Sequence, residues 1–553
     1  MHTTLSRLRA LLPHHSDLMD VREAPRQDLL AGLTVAIVAL PLALGFGAAA
    51  GLNPAAGLVT AIVAGVLGAV FGGSRLSVSG PTGAVTVVLI PVVAAHGPPG
   101  VFMLALLTGG VLLAMALLRA GRFVRFVPVP VIEGFTVGIA VVIFLQQVPA
   151  ALGIDGEGSH VVPAAWSAVV GFASNPGWID PAMAVGVAGV MLLGARWRPA
   201  VPFSLLAVAA ATVAEFAGGF DVALIGELPK TLPAPSTDFF DASLVPALLA
   251  PAAAVAALVT LESLLGATVA DRMSGTSRRH SPDRELFGQG IANLSCSLFG
   301  GMPASAAITR TVVNVRSGAR SRMAAAWHAV MLAAFMLAAA PLVGHVPLSA
   351  LAGVLLATTV KMVDSRSLAA VARATRADGA VLIVTIVATV ALDLVWGVVI
   401  GLAVAGAIAL VKLAASLRLH VEAPDAHHDH HDERAGRMAE HIAVFHLHGP
   451  LFFAARKDAL LESCEGRTLS VVVLHLQNVT TMDASGALAL CDFVDDLARR
   501  GVSVYMSGVR TDQHDTLTVL GVLEKVCTGD HLHGDVDQAV AAARRRLRQT
   551  GVL

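Results

Sequence analysis

Charge is scarce in this chain. Of 553 residues only 14% are Asp, Glu, Lys or Arg, and the formal net charge is -1. Without a basic footprint, no nucleic-acid partner is expected. Cysteine is rare too. Cys296, Cys464, Cys491 and Cys527 show no metal-ligand spacing, so no metal site is expected. Three of them fall in the C-terminal region, placed in the cytosol below, where free thiols are the expectation. There is no Gly-x-Gly-x-x-Gly run after a strand, no Walker A and no His-Glu-x-x-His. These absences speak against an enzyme and against a resident cofactor. Any transport would have to run on ion gradients or substrate exchange. The first 27 residues are polar and lack the apolar core of a signal peptide, so the first apolar run reads as a retained span.

What the chain has is apolar length. Hydrophobic residues make up 55% of it and the mean hydropathy is +0.73. That composition predicts a polytopic membrane protein. The first span reads as Asp28 to Ala50, interrupted by Pro41, and the second as Gly57 to Phe71. Others follow near 82–95, 100–118, 127–148, 181–195 and 200–217, with an amphipathic or incomplete stretch near 160–173. After a polar, proline-bearing loop at 218–243, a second set covers roughly 245–270, 285–299, 304–316, 323–341, 346–363, 378–396 and 397–416. The total is about 14 transmembrane segments. Arginine clusters between spans, such as Arg119, Arg122 and Arg125, mark cytoplasmic loops, and an even count keeps both termini in the cytosol. The expected location is therefore the inner (plasma) membrane.

Two places break the apolar pattern. Ser79-Gly80-Pro81-Thr82-Gly83-Ala84 and Gly300-Gly301-Met302-Pro303-Ala304-Ser305-Ala306-Ala307-Ile308-Thr309-Arg310 each put helix breakers ahead of small residues. Each reads as irregular backbone opening a new helix inside the membrane. A helix start offers free N–H groups and a positive dipole end, which attract an anion. Pro81 and Pro303 are 222 positions apart. The same offset carries Pro41 to within one residue of Glu262, an acid inside its span. Seven spans per half then imply a 7+7 inverted repeat, with the broken helices near its midplane.

Beyond a His-rich linker (His427, His428, His430, His431), strands alternate with helices, which argues for an α/β domain. The expected division is a lead at 1–27, a transport domain at 28–417, the linker at 418–439 and a cytoplasmic domain at 440–553.

Ala267-Thr268-Val269-Ala270-Asp271-Arg272-Met273-Ser274-Gly275 and Glu285-Leu286-Phe287-Gly288-Gln289-Gly290-Ile291-Ala292-Asn293 resemble the signatures of the SulP anion-transporter family, the sulfate-permease group with its prestin-like members. Gly449-Pro450-Leu451-Phe452-Phe453 and Met482-Asp483-Ala484-Ser485-Gly486 resemble the STAS domain, shared with anti-sigma-factor antagonists. The resemblance implies core and gate domains, a homodimer, and an anion held between the half-helix N-termini of the third and tenth spans. Carried over by position, the substrate site is Phe46, Thr82, Gly83, Ala84, Ala306, Ala307, Thr309 and Arg310. Glu262 takes the position of the coupling ion, H+ or Na+. The stretch Ala39 to Gly47 looks most like the cyanobacterial bicarbonate transporters. That subgroup is sodium-coupled and pairs Asp with Thr one turn apart in its eighth span. Here Glu262 is followed at that spacing by Gly266.

Each site residue has a plainer reading. Arg310 can be a structural cation bound to a carbonyl, and Glu262 can simply pair with a base. Phe46 can be packing. Ser485 is a candidate phosphorylation site or a helix N-cap beside Asp483. The histidine tract is a solvated linker before it is a zinc site or pH sensor. At the level of function, the leading reading is a secondary-active transporter of bicarbonate or sulfate. The rivals are a passive channel or exchanger, a dicarboxylate symporter, and a non-transporting membrane sensor.

Overall fold

The computed structural model describes residues 11–14, 24–156, 160–198, 201–226, 231–275, 279–392, 394–414, 418–422, 441–451, 464, 468–526 and 531–550. It divides into two compact units, residues 1–403 and 404–553. The histidine tract, Phe452, Phe453 and Cys527 lie outside the described residues.

The first unit is helical. α1 (Pro25–Ala49) and α2 (Pro54–Phe71) precede the two-residue strand β1 (Ser79–Gly80). α3 (Gly83–Leu117) is broken at Gly97, where φ is 65°. α4 (Val129–Leu152), α5 (Val161–Ser174), α6 (Ile179–Trp197) and α7 (Phe203–Gly218) complete the first half. α8 (Val245–Ser274) and α9 (Pro282–Leu298) lead to strand β2 (Ser305–Ala306) and the nine-residue α10 (Ile308–Arg316). α11 (Met323–Gly344), α12 (Leu348–Met362), α13 (Ser365–Ala374) and α14 (Arg376–Ala391) follow, and α15 (Leu394–Ala414) begins in this unit and continues past residue 403.

Among the described residues, eight helices are long and apolar enough to cross a bilayer. Others are too short to span about 30 Å unaided, α10 most obviously. α5, expected as an incomplete span, has 14 residues and buries only Ala165 and Ala168. Two expectations change. Pro41 does not interrupt the first span; α1 runs through it. A helix in this setting tolerates proline because neighbouring groups can satisfy the freed carbonyl. The span drawn from residue 304 begins at Ile308, because Ser305–Ala306 pairs as a strand instead. And the interval left between the spans at 346–363 and 378–396 holds a helix, Ser365–Ala374, capped by Asp364, whose Oδ1 accepts from the N–H groups of Arg366 and Ser367.

Two large buried clusters hold this unit. One joins residues of α1, α2, α11 and α12, such as Ala43, Leu58, Leu332 and Val354. The other joins α3, α4 and α8, such as Leu89, Ile143 and Val259. Asp28, fully buried on α1, accepts from the N–H groups of Arg320 (2.7 Å) and Ser321 (3.1 Å) ahead of α11. A buried carboxylate without such donors would be costly.

The second unit is an α/β layer. β3 (Arg418–Glu422), β4 (Ile442–Leu451), β5 (Val471–His475), β7 (Ser503–Ser507) and β8 (Leu532–His533) form a sheet in the order β3-β4-β5-β7-β8. β6 (Val479–Met482) pairs with β4. β4, β5, β7 and β8 run parallel, and β3 is antiparallel to β4. Alternating strand residues feed two cores. Phe445, Val472, Leu474 and Met506 pack with α16 (Ala484–Arg499), α17 (Thr511–Val519) and α18 (Val522–Val526). Val444, Val471, Val473 and Tyr505 pack under α19 (Val536–Gln549).

Candidate functional site

The two chain breaks meet. β1 and β2 pair antiparallel, Ser79 opposite Ala306 and Gly80 opposite Ser305. The residue before each helix is extended: Thr82 (φ -134°, ψ 152°), after Pro81, before α3 and Ala307 (φ -75°, ψ 129°) before α10. Neither helix has a side-chain cap. The first helical bonds run from Thr86 N–H to the Thr82 carbonyl and from Thr311 N–H to the Ala307 carbonyl, each 3.0 Å. Gly83, Ala84 and Val85 in one helix, and Ile308, Thr309 and Arg310 in the other, therefore have no acceptor within their own helix.

Glu262 on α8 sits at this crossing. Its Oε2 accepts from Thr82 Oγ1 (2.8 Å) and Ser305 Oγ (2.6 Å), and the two hydroxyl oxygens are 2.9 Å apart. Thr82 and Ser305 are buried, while Glu262 keeps partial exposure. The carboxylate thus ties three elements together and stays reachable. Ser263, next along α8, accepts the Ala306 N–H on its Oγ at 3.0 Å.

Arg310 is buried on α10. Its Nη2 donates to the Pro81 carbonyl at 2.9 Å, and its Nε and Nη1 have no hydrogen-bond partner among the described residues. The guanidinium lies against Gly80, where a Cβ would come 2.5 Å from Nη1. Gly80 has φ 157°, so glycine both permits that backbone and makes room for the cation. At Gly83 a Cβ would meet Ile143 Cδ1, and Phe46 Cε1 at 3.1 Å, so Phe46 stands beside the start of α3.

Residues 26–385 match the family model described as the sulfate permease family. The chain belongs to the sulfate permease family. Residues 437–539 match the STAS domain model. YvdB of Bacillus subtilis (strain 168), provisionally named a sulfate transporter, is 32% identical over 528 residues, covering 91% of this chain and 94% of that protein. The bicarbonate transporter BicA of Synechocystis is 30% identical over 501 residues, covering 87% and 88%. The solved transmembrane domain of a cyanobacterial BicA is 31% identical, with a TM-score of 0.63 over 68% of this chain and 98% of that one. The fold is shared across nearly the full length with a murine anion transporter, Slc26a9, at a TM-score of 0.81 and 17% identity, covering 98% and 95%.

Within this sulfate permease fold, the structure brings together Phe46, Thr82, Gly83, Ala84, Glu262 and Arg310, and it corrects three details. The amides of Ala306 and Ala307 are occupied, by Ser263 Oγ and by the Val78 carbonyl at 3.2 Å, so the open amides of α10 begin at Ile308. The Thr82 hydroxyl is spent on Glu262. Ser485 does not cap α16: Asp483 does, its Oδ1 accepting from Gly486 N–H at 2.7 Å, and Ser485 is exposed in the first turn. Thr309 is also exposed. Sequence reasoning missed Ser305, Ser263 and Ile143. Ser305 stood inside the run singled out, and its proximity to an acid 43 positions earlier is a tertiary fact. Gly266 faces β2, and a Cβ there would lie 3.2 Å from the Ala306 carbonyl.

Proposed function

We propose that this chain is a secondary-active transporter of small inorganic anions, bicarbonate or sulfate, coupled to protons through Glu262. The observation that carries this reading is the pair of uncapped helix starts joined by β1 and β2 with a reachable carboxylate beside them. Open N–H groups and two dipole ends favour an anion. The buried charge of Arg310 adds to that field. Phe46 and Ile143 wall the start of α3. The similarity to the BicA bicarbonate transporters supports the substrate class.

An ionised Glu262 opposes the same anion. Two like charges ~4 Å apart at an effective dielectric of ~20 repel by about 4 kcal/mol. Neutralising Glu262 first removes that penalty, which is the physical basis of symport. Gly266 supplies no hydroxyl for a metal cation, so the proton is our coupling ion. By resemblance to the family, the working unit is a homodimer in the inner membrane with both termini cytoplasmic.

The test is uptake of labelled bicarbonate and sulfate into proteoliposomes, with proton and sodium gradients imposed separately. Proton-driven uptake that Glu262→Gln abolishes is the expected result. Uptake driven by sodium alone would overturn the coupling assignment. No uptake of either anion would overturn the substrate class.

A further inference from the structure

α9 carries three polar residues one turn apart, Glu285, Gln289 and Asn293, all fully or almost fully buried. Spacing of four places them on one face. Each reaches a different part of the crossing. Glu285 Oε2 accepts from the N–H groups of Gly73 and Ser74, both 2.8 Å, in the segment leading to β1. Gln289 Nε2 donates to Ser79 Oγ on β1 (2.7 Å) and to Glu285 Oε1 (3.1 Å). Asn293 grips Ala304, the residue before β2, in both directions. Its Oδ1 accepts the Ala304 N–H at 2.8 Å and its Nδ2 donates to the Ala304 carbonyl at 3.0 Å.

One rigid helix therefore holds both crossing strands by side chains that touch neither helix start. Three residues beyond Ser79 stands Thr82, and next to Ala304 stands Ser305, the two hydroxyl donors to Glu262. We propose that Gln289 and Asn293 are positioning residues for the transport site, with α9 the jig that sets the spacing of the α3 and α10 N-termini. The reason is geometric. Two half-helices from distant parts of the chain are joined by a two-residue ladder and by single bonds such as Arg310 Nη2 to the Pro81 carbonyl and Ala307 N–H to the Val78 carbonyl. A ladder of that length does not by itself fix their distance and tilt. Ladder, jig and carboxylate together over-determine it, and an anion held between two dipole ends is sensitive to their separation.

This inference rests on the transporter reading, so the experiment separates the two. Spin labels at Ile90 and Arg316, one on each half-helix, report their spacing in a background without native cysteines. Without substitution at α9 one narrow distance is expected. Gln289→Leu and Asn293→Leu should each broaden or shift it. Asn293→Asp keeps the acceptor for Ala304 N–H and should lie between. In uptake assays the two leucine variants should raise the anion KM about ten-fold or more, since each removes at least two buried hydrogen bonds. Ser79→Ala combined with Gln289→Leu should be no worse than Gln289→Leu alone, because both remove the same bond. An unchanged distance distribution in both leucine variants overturns the proposal, whether or not the protein moves an anion. A lower Vmax with unchanged KM and unchanged spacing overturns it too. A shifted distance in a protein that carries no anion upholds the jig and sinks the transporter reading.

Discussion

Ser305 and Thr82 donate to the same oxygen of Glu262, so each can be removed without leaving that carboxylate bare. A hydrogen bond to a charged group contributes about 1.5–3 kcal/mol, so Ser305→Ala should lower transport efficiency by roughly ten-fold or more. Glu262→Gln should go further and end gradient-driven uptake. Initial rates at matched protein density check both, and a Ser305→Ala protein at full efficiency would remove Ser305 from the site. Gly266 makes a sharper case. Threonine there would set a hydroxyl beside the Ala306 carbonyl, where the nearest atom to a new Cβ is 3.2 Å away and must yield slightly. If the proton is the coupling ion, as proposed, Gly266→Thr should bring sodium-stimulated uptake. Uptake that stays indifferent would mean that position 266 does not select the cation.

At the scale of elements, β5 of the STAS domain carries a buried histidine with a pH consequence. His475 is 7% exposed and its Nδ1 lies 3.1 Å from Ser507 Oγ. Burial first, then the nearby His446 imidazole, hold its pKa below the ordinary 6.5, against an opposing bond to Gln477 and with a lesser push from His448. The folded state then binds fewer protons than the unfolded one as pH falls past 6.5. Its contribution is complete above that value and is lost progressively below it. Thermal melts of the whole protein at pH 7.5 and 5.5 should show the STAS transition shift downward in acid, and His475→Asn should shrink the shift. An equal shift in the variant would place the acid sensitivity elsewhere.

The elements also show what the sequence makes legible. The long apolar helices, the breaks at Gly80-Pro81 and Gly300 to Pro303, and the alternation of strands and helices in the STAS domain were readable, because hydropathy, helix breakers and strand patterns are local signals. The pairing of Ser79 with Ala306 was not, since two residues carry no strand pattern. Nor was the grip of Asn293 on Ala304 or the occupation of the Ala306 amide by Ser263. Those are choices among partners brought near only by the fold. α13 lies between two expected spans, where its residues give no apolar run and its start is marked by the Asp364 cap.

For the whole molecule, charge balance discriminates the two candidate substrates. In the proposed cycle, one acid at the crossing carries one proton. A proton moving with bicarbonate transfers no net charge, whereas a proton moving with divalent sulfate transfers one negative charge. An interior-negative potential acts on a transferred charge with about 2.3 kcal/mol per 100 mV. Clamping proteoliposomes at roughly -60 mV, worth about 1.4 kcal/mol per charge, should cut the accumulation ratio of sulfate about ten-fold and leave that of bicarbonate unchanged. Equal voltage dependence for both anions would mean that Glu262 does not set the stoichiometry. Sulfate accumulation indifferent to voltage would require a second proton.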